Sequence, residues 1–406
     1  MSTPARTAQT VTHPLPGRAK NLWLATAAFA ITFWAWNEIG PLGIRYAQDM
    51  DLTATQTSIL VAVPVLVGSL GRILTGVLTD RYGGRSMFAA FTAISAVPLL
   101  LVAWAGSIDS YVMLLIFGFV LGIAGTTFAI GVPFVNAWYP PEKRGFATGV
   151  FGMGTGGTAL SAFFTPRMVQ WVGYVPTHVI MAVALVIMAF LVWLFMRDSP
   201  AWKPNTDRVL PKLAAAGRLA ITWQMSFLYA VTFGGFVAFS TYLPTYLNTV
   251  YGYELAGAGA RTAGFAIAAV VARPFGGILS DRFGPARVLQ VLLGATALMA
   301  VVIAFVPPPE LLAGASFVIM GMLLAGGAGA VFTWVAQRAP QARVGTITGM
   351  VGAAGGLGGF FPPLLMGATY SPELGGYTVG LALLCATALA ATLFTYIIAH
   401  APKDAT

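Results

Sequence analysis

The stretch GRILTGVLTDRYGGR, residues 71–85, returns as ARPFGGILSDRFGPAR at residues 272–287. Arg72 and Arg273, and likewise Asp80 and Asp281, correspond at an offset of 201, about half of the 406-residue chain. Each copy joins two features. An arginine sits inside an apolar run long enough to cross a bilayer. Eight residues later come Asp-Arg, an aromatic, a glycine and more positive charge. The second feature reads as a hinge and gate at the membrane edge, with Asp80, Arg81, Asp281 and Arg282 as its charged members. The first is costly, because ionisable groups at membrane depth are rare and mark binding sites or pathways. One such arginine per half points to an anion held between two pseudo-symmetric bundles.

The composition agrees. Charged residues make up 9% of the chain and hydrophobic ones 57%, against about 25% charged in a soluble domain. At about 20 apolar residues per crossing, the chain accommodates twelve spans: 22–44, 57–79, 86–106, 112–138, 145–169, 177–196, 219–246, 258–280, 286–306, 313–336, 344–369 and 377–399. The only long polar interruption, RDSPAWKPNTDRVLPKLAAAG, separates six spans from six. The expected organisation is therefore a tail (1–21), a six-helix bundle (22–196), a linker with a short surface helix (197–217), a second six-helix bundle (218–399) and a tail (400–406). The polar first twenty residues read as a tail and not as a removable leader.

The net charge of +9 lies in short loops and does not form a nucleic-acid surface. Numbering the loops alternately places 17 of the 22 Lys and Arg on one side. The opposite side holds only Arg45, Arg167 and Arg261, whereas Asp49, Asp51, Asp109, Glu254, Glu310 and Glu373 all fall there. That asymmetry predicts cytoplasmic termini and a cytoplasmic linker. Trp23, Trp104, Trp138 and Trp171 stand at span ends and read as an interfacial belt.

Arg72 lies about 12 Å, at 1.5 Å per residue, from Asp80 along its helix. Arg81 and Arg85 already occupy that surface, so Arg72 reads as a binding residue and not as a snorkelling one, and Arg273 reads the same way. Arginine stays charged and offers a planar fork of donors suited to a planar oxyanion. Spans 5 and 11 carry glycine runs that include Gly154, Gly156, Gly157, Gly355, Gly356, Gly358 and Gly359. These serve close helix packing, alone or together with a transport role. Phe33, Trp34, Phe128, Tyr229 and Phe233 fall at mid-span depth. Glu38 is a candidate proton site or an outer-mouth residue beside Arg45. His13, His178 and His400 fall at termini or a span edge. Cys385 reads as a packed small hydrophobe. No metal spacing, catalytic constellation or nucleotide loop is present in the sequence, so neither an enzyme nor an ATP-driven pump is expected, and no cofactor.

These motifs carry a family resemblance. GVLTDRYGGR and GILSDRFGPAR resemble the loop signature of the major facilitator superfamily. GMGTGGTALSAFFTP (152–166) and GMVGAAGGLGGFFPP (349–363) resemble the paired signatures of its nitrate/nitrite porter family. SILVAVPVLVGSLGRILTGVLTDRYGGR (58–85) and FWAWNEIGPLGIRYAQDM (33–50) are similar to that family's first two spans. The resemblance covers nearly all of residues 22–399.

The resemblance implies an all-α polytopic membrane protein of major facilitator fold, with twelve transmembrane helices in two pseudo-symmetric bundles. It implies an importer or exchanger of nitrate and nitrite in a bacterial inner membrane; alternating access, with the monomer as the working unit, is the expected mode. Arg72 and Arg273 would clamp the anion. Phe128 and the pair Tyr229 and Phe233 would sandwich it, with Phe33 or its neighbour Trp34 contributing from span 1. Where the family often carries an anion-binding asparagine, this chain has Thr155. The alternative is a carrier of cyanate, formate, a short carboxylate or an organic compound. Proton symport and nitrate/nitrite exchange both stay open at this point. Exchange needs no titrating group, whereas symport offsets the inside-negative potential opposing anion entry.

Overall fold

The computed structural model describes residues 15–140, 143–200, 202–204, 209–309, 311–340, 343–374 and 376–400. The expectations for 1–14, 205–208 and 401–406, and for Glu310, concern residues outside these. Twelve helical rods follow in order. They are α1 (Arg18–Trp36 and Ile39–Asp49), α2 (Ala54–Tyr82), α3 (Gly84–Ser107), α4 (Tyr111–Trp138), α5 (Arg144–Gly152 and Gly157–Val172) and α6 (Tyr174–Phe195). After the linker come α7 (Ala220–Tyr251), α8 (Leu255–Phe283), α9 (Pro285–Ala304), α10 (Leu311–Arg338), α11 (Val344–Gly358 and Phe361–Ala368) and α12 (Thr378–His400). All but α1 and α5 contain a stretch long and apolar enough to cross a membrane. The linker forms the short helix Val209–Gly217.

Several spans run longer than expected because their caps lie further out. Thr53 accepts from the backbone N–H of Gln56 at 3.2 Å, and Gln56 accepts from Thr53 N–H at 2.9 Å. This reciprocal box starts α2 three residues early. At the other end the chain turns at Gly83 (φ 84°), and the repeat turns at Gly284 (φ 86°). Both sit in the left-handed region that glycine enters without strain.

Other spans expected to be continuous are broken. Pro41 has no N–H to give the Asn37 carbonyl and its ring crowds that carbonyl, so α1 ends at Trp36 and restarts at Ile39. The freed Asn37 oxygen accepts from Ser161 Oγ at 3.1 Å. Glycine pairs tighten α4 into a 3-10 turn at Gly122–Thr126 and α5 at Met153–Gly156. Span 3 steps at Ser95. Trp138, expected at the interface, is instead buried, whereas Trp23, Trp104 and Trp171 are exposed.

The face that carries Arg81, Arg85, Lys143, Arg144, Arg282 and Arg343 is called the basic face here. The two halves, α1–α6 and α7–α12, meet at the opposite face. A Cβ on Gly40 of α1 would lie 2.9 Å from the Thr241 carbonyl of α7. A Cβ on Gly259 of α8 would collide with the Ala162 carbonyl of α5, and one on Gly367 of α11 with Ser58 of α2. Thr55 Oγ1 donates to the Gly367 carbonyl at 3.3 Å. Toward the basic face, Cβ atoms on Gly149, Gly152 and Gly349 would meet open space.

On the basic face, Asp198 accepts from Arg85 N–H at 3.0 Å, capping the first turn of α3. Arg85 in turn donates to the Trp193 carbonyl. Asp198→Ala is expected to cost about 1 kcal/mol, the usual value of an N-cap. A lowered thermal midpoint with intact binding, measured in detergent, would check this.

Candidate anion-binding site

Arg72 is 3% exposed, about two-thirds of the way along α2 toward the basic face. Its Nη1 donates to the Gly352 carbonyl of α11 at 2.8 Å, a bond that crosses between the halves. Its Nε and Nη2 have no partner. The guanidinium lies over Phe128 at 5.1 Å and over Phe233 at 5.8 Å. Arg273 of α8 is half-buried. It donates Nη2 to the Tyr229 hydroxyl at 2.8 Å and lies over Phe233 at 5.3 Å. Tyr229 and Phe233, one turn apart on α7, stack in parallel at 5.0 Å. The two arginines thus flank one aromatic ring.

Among the described residues no carboxylate forms an ion pair with either arginine; the one such pair is Arg45–Asp49. An unpaired buried charge costs several kcal/mol. Here Arg72 is buried and Arg273 half-buried, so positive charge collects around Phe233 with no acid ion-paired to it among the described residues. The unpartnered donors of Arg72 supply directional hydrogen bonds, and the aromatic faces supply flat, dry walls.

The glycine runs explain why the helices come this close. A Cβ at Gly154 would strike Phe29, and one at Gly157 the Ala30 carbonyl, so α5 packs onto α1. Gly355 and Gly358 do the same for α11 against Tyr229 and the Ala230 carbonyl of α7, and Gly359 against Val237. Gly356 is different, because it faces across the halves. A Cβ there would strike Ser69 and come within 3.3 Å of Arg72 Nη1. Its counterpart Gly156 looks toward Val270, at 4.0 Å. Ser69 and Val270 each stand three residues before their arginine. Glycine at 156 and 356 therefore leaves room for the other half's arginine helix.

The structure brings together Arg72, Arg273, Phe128, Tyr229 and Phe233. Thr155 joins them, lining with Phe233, Val270 and Arg273 a small cavity between the halves. Its hydroxyl donates to the Gly152 carbonyl at 2.8 Å and so offers that cavity no free proton. In α1, Trp34 turns away, donating Nε1 to Thr165 at 2.9 Å. Phe33 packs on Phe29 and Trp36, with centroids at 4.3 and 4.7 Å, and not on either guanidinium. Phe29, which reaches Phe128 at 5.8 Å, and Phe332, which reaches Tyr229 at 4.6 Å, back the site and were missed from sequence. The signal for Phe29 lies in the repeat. Phe29 and Phe33 precede Tyr229 and Phe233 by 200 residues each.

The hinge residues lie elsewhere. Asp80 is exposed at the basic face, where Lys212 of the linker helix acts on it electrostatically. Arg81 and Arg282 lie over Tyr82 and Phe283. Asp281 is exposed. His178 departs from expectation, and Glu38 departs from its outer-mouth reading only. Glu38 is fully buried and does not pair with Arg45, which engages Asp49. His178, expected at a span edge, is also fully buried, with Nδ1 2.9 Å from the Tyr174 carbonyl. Both are carried inward because α1 and α6 pack with α5 around them.

Known proteins place the chain. The Major Facilitator Superfamily model matches residues 22–363. A probable nitrate/nitrite transporter, NarK2 of Mycobacterium tuberculosis, is 58% identical over 95% of this chain and 98% of its own. The chain belongs to the nitrate/nitrite porter family of the major facilitator superfamily. Another relative of this porter is a probable nitrate/nitrite antiporter, NarK1 of Thermus thermophilus, 36% identical over 86% of this chain and 85% of its own. A nitrite extrusion protein of Bacillus subtilis is 36% identical over 91% of each chain. A bacterial homologue of the lysosomal transporter Spinster, solved inward-facing and occupied, shares the porter's fold at TM-score 0.71 and 19% identity, over 96% of this chain and 98% of its own. The porter is a multi-pass membrane protein.

Proposed function

We propose that this porter carries nitrate and nitrite across a bacterial inner membrane by alternating access, with the anion held between Arg72 and Arg273. One observation carries the reading: two guanidiniums flank Phe233 with no carboxylate paired to them among the described residues. The names of relatives at 58% and 36% identity support nitrate and nitrite as the anions. The basic face is cytoplasmic by the distribution of Lys and Arg, which makes the described conformation the inward-open one. The anion bridges two halves that rock about it, so its charge favours their approach. Gating falls to the Asp80–Arg81 and Asp281–Arg282 hinges, where the chain turns at Gly83 and Gly284.

The test is nitrate uptake into proteoliposomes, with unlabelled nitrite, formate and cyanate as competitors. Nitrite competing at concentrations similar to nitrate, with formate and cyanate much weaker, is the expected pattern. Dominant competition by formate or cyanate would move the substrate to another small planar anion.

Thr155 sets a second expectation. Its hydroxyl proton is already committed to Gly152, so Thr155→Val should change nitrate affinity little. Thr155→Asn adds a free donor at the cavity. One charge-assisted hydrogen bond contributes about 1.5–3 kcal/mol, so affinity should rise about tenfold or more, read by isothermal titration.

A further inference from the structure

The site above leaves one buried acid unused. Glu38 stands at the break in α1 and is fully buried. Oε1 accepts from Thr165 Oγ1 at 3.1 Å, and that hydroxyl itself accepts from Trp34 Nε1 at 2.9 Å. Oε2 has no partner, and neither does the side-chain amide of adjacent Asn37. At 1.5 Å per residue, Glu38 lies about 30 Å along α1 from the basic face, and Arg72 about 15 Å along α2. Glu38 therefore sits between the anion site and the opposite face.

Among the described residues no cation forms an ion pair with it. From α1, Arg45 is engaged by Asp49 and lies over the Tyr174 ring at 4.4 Å, and Tyr46 hydrogen-bonds Tyr174 at 2.8 Å. From α6 come Tyr174 and His178, and from the loop before α4 comes Asp109, another acid. Arg167 of α5 is turned to its own Phe163, and Arg261 of α8 to Tyr253. Helix α7 brings only neutral Ser240, Thr241 and Thr245. A carboxylate without a cation is not stable in such a place, whereas the neutral acid is.

Two further features tie this acid to transport. Gly40, two residues on, packs against the α7 backbone in the seam that seals the opposite face. On α5, Thr165, Ser161, Thr158 and Thr155 are all buried. Their spacing places them along one helix face, running from Glu38 to the cavity beside Arg273.

We propose that Glu38 is the proton-binding site of this porter, loaded from the opposite face before the seam closes, with α5 joining the two sites mechanically, since it donates to Glu38 through Thr165 and lines the cavity beside Arg273 through Thr155. A monovalent anion moved with one proton crosses without net charge. The proposal rests on the anion-transport reading above, and its test separates the two.

Full-length protein in liposomes is compared with Glu38→Gln, which fixes the neutral form. In acid-minus-base infrared difference spectra, the wild type should show the C=O stretch of a protonated carboxyl that Glu38→Gln removes. With an outward-acid gradient of one pH unit, the wild type should accumulate nitrate about tenfold, the ratio one proton supplies. Glu38→Gln should lose this accumulation yet keep nitrate counterflow without a gradient. Absence of a band attributable to Glu38, or gradient-driven accumulation unchanged in Glu38→Gln, overturns the proton site. Loss of counterflow as well would make Glu38 structural and overturn it too. A wild type that shows the band but no nitrate counterflow sustains the proton site and overturns the substrate instead.

Discussion

Arg72→Ala is expected to abolish nitrate uptake while the protein still inserts and folds. Arg72 is buried between the two halves. It spends one donor on the Gly352 carbonyl and keeps Nε and Nη2 unpartnered. Two charge-assisted hydrogen bonds to an oxyanion contribute about 3–6 kcal/mol together. Their loss weakens binding by a factor on the order of a hundred to ten thousand. Stability should not fall in step, because alanine also removes an unpaired buried charge. Arg273→Ala should lose uptake similarly, and it also frees the Tyr229 hydroxyl. Lysine at either position keeps the charge but not the planar fork. At position 72 it also cannot bond Gly352 and the anion with one rigid group, so recovery should be small. Uptake in proteoliposomes, beside titration of nitrate into detergent-solubilised protein, gives both numbers. Uptake retained in both alanine variants would sink the arginine site.

The second large effect needs no charged residue to change. Gly356→Val should lower nitrate affinity by about tenfold or more, with both arginines intact. A side chain at 356 collides with Ser69 and crowds Arg72 Nη1. The Ser69 contact reaches its Cβ, which cannot swing aside, so α11 and α2 must separate. Separation breaks the Arg72–Gly352 bond and depopulates the conformation that holds the anion, and apparent affinity falls with that population. Gly349→Val, two turns away on the same side of α11 but in open space, is the matched control and should bind normally. Equal affinity in Gly356→Val and Gly349→Val would show that the close approach at 356 is packing alone.

Much of the site was legible because it is written twice. The arginines stood out for one physical reason, the cost of charge at membrane depth, and their offset of 201 excluded coincidence. Phe128, Tyr229 and Phe233 followed from the family motif, and the structure seats the rings of Phe128 and Phe233 against guanidiniums and the Tyr229 hydroxyl on Arg273. Phe33 followed from the same motif, yet it packs one ring further back. Neighbouring Phe33 and Trp34 point about 100° apart on a helix, and only the packing of α1 decides which partner each meets. Thr155 shows another limit. Its position beside the cavity is a matter of sequence, but its proton is spent on Gly152, a bond that the 3-10 turn of α5 creates.

Apolar length and the placement of Lys and Arg determined on their own that this chain is a twice-repeated helical membrane protein, because bilayer thickness and backbone hydrogen bonding leave a long apolar segment few alternatives. The breaks in the helices were decided locally as well, by Pro41 and the glycine pairs, though they become visible only once the ladder of carbonyls is traced. Tertiary structure alone decided the surroundings of the buried polar groups. Counting along the chain gives depth, not facing. Depth placed Glu38 and His178 near an edge, where water would solvate them. The packing of α1 and α6 with α5 removed that water, and it is burial, not position in the sequence, that sets what an ionisable group can do.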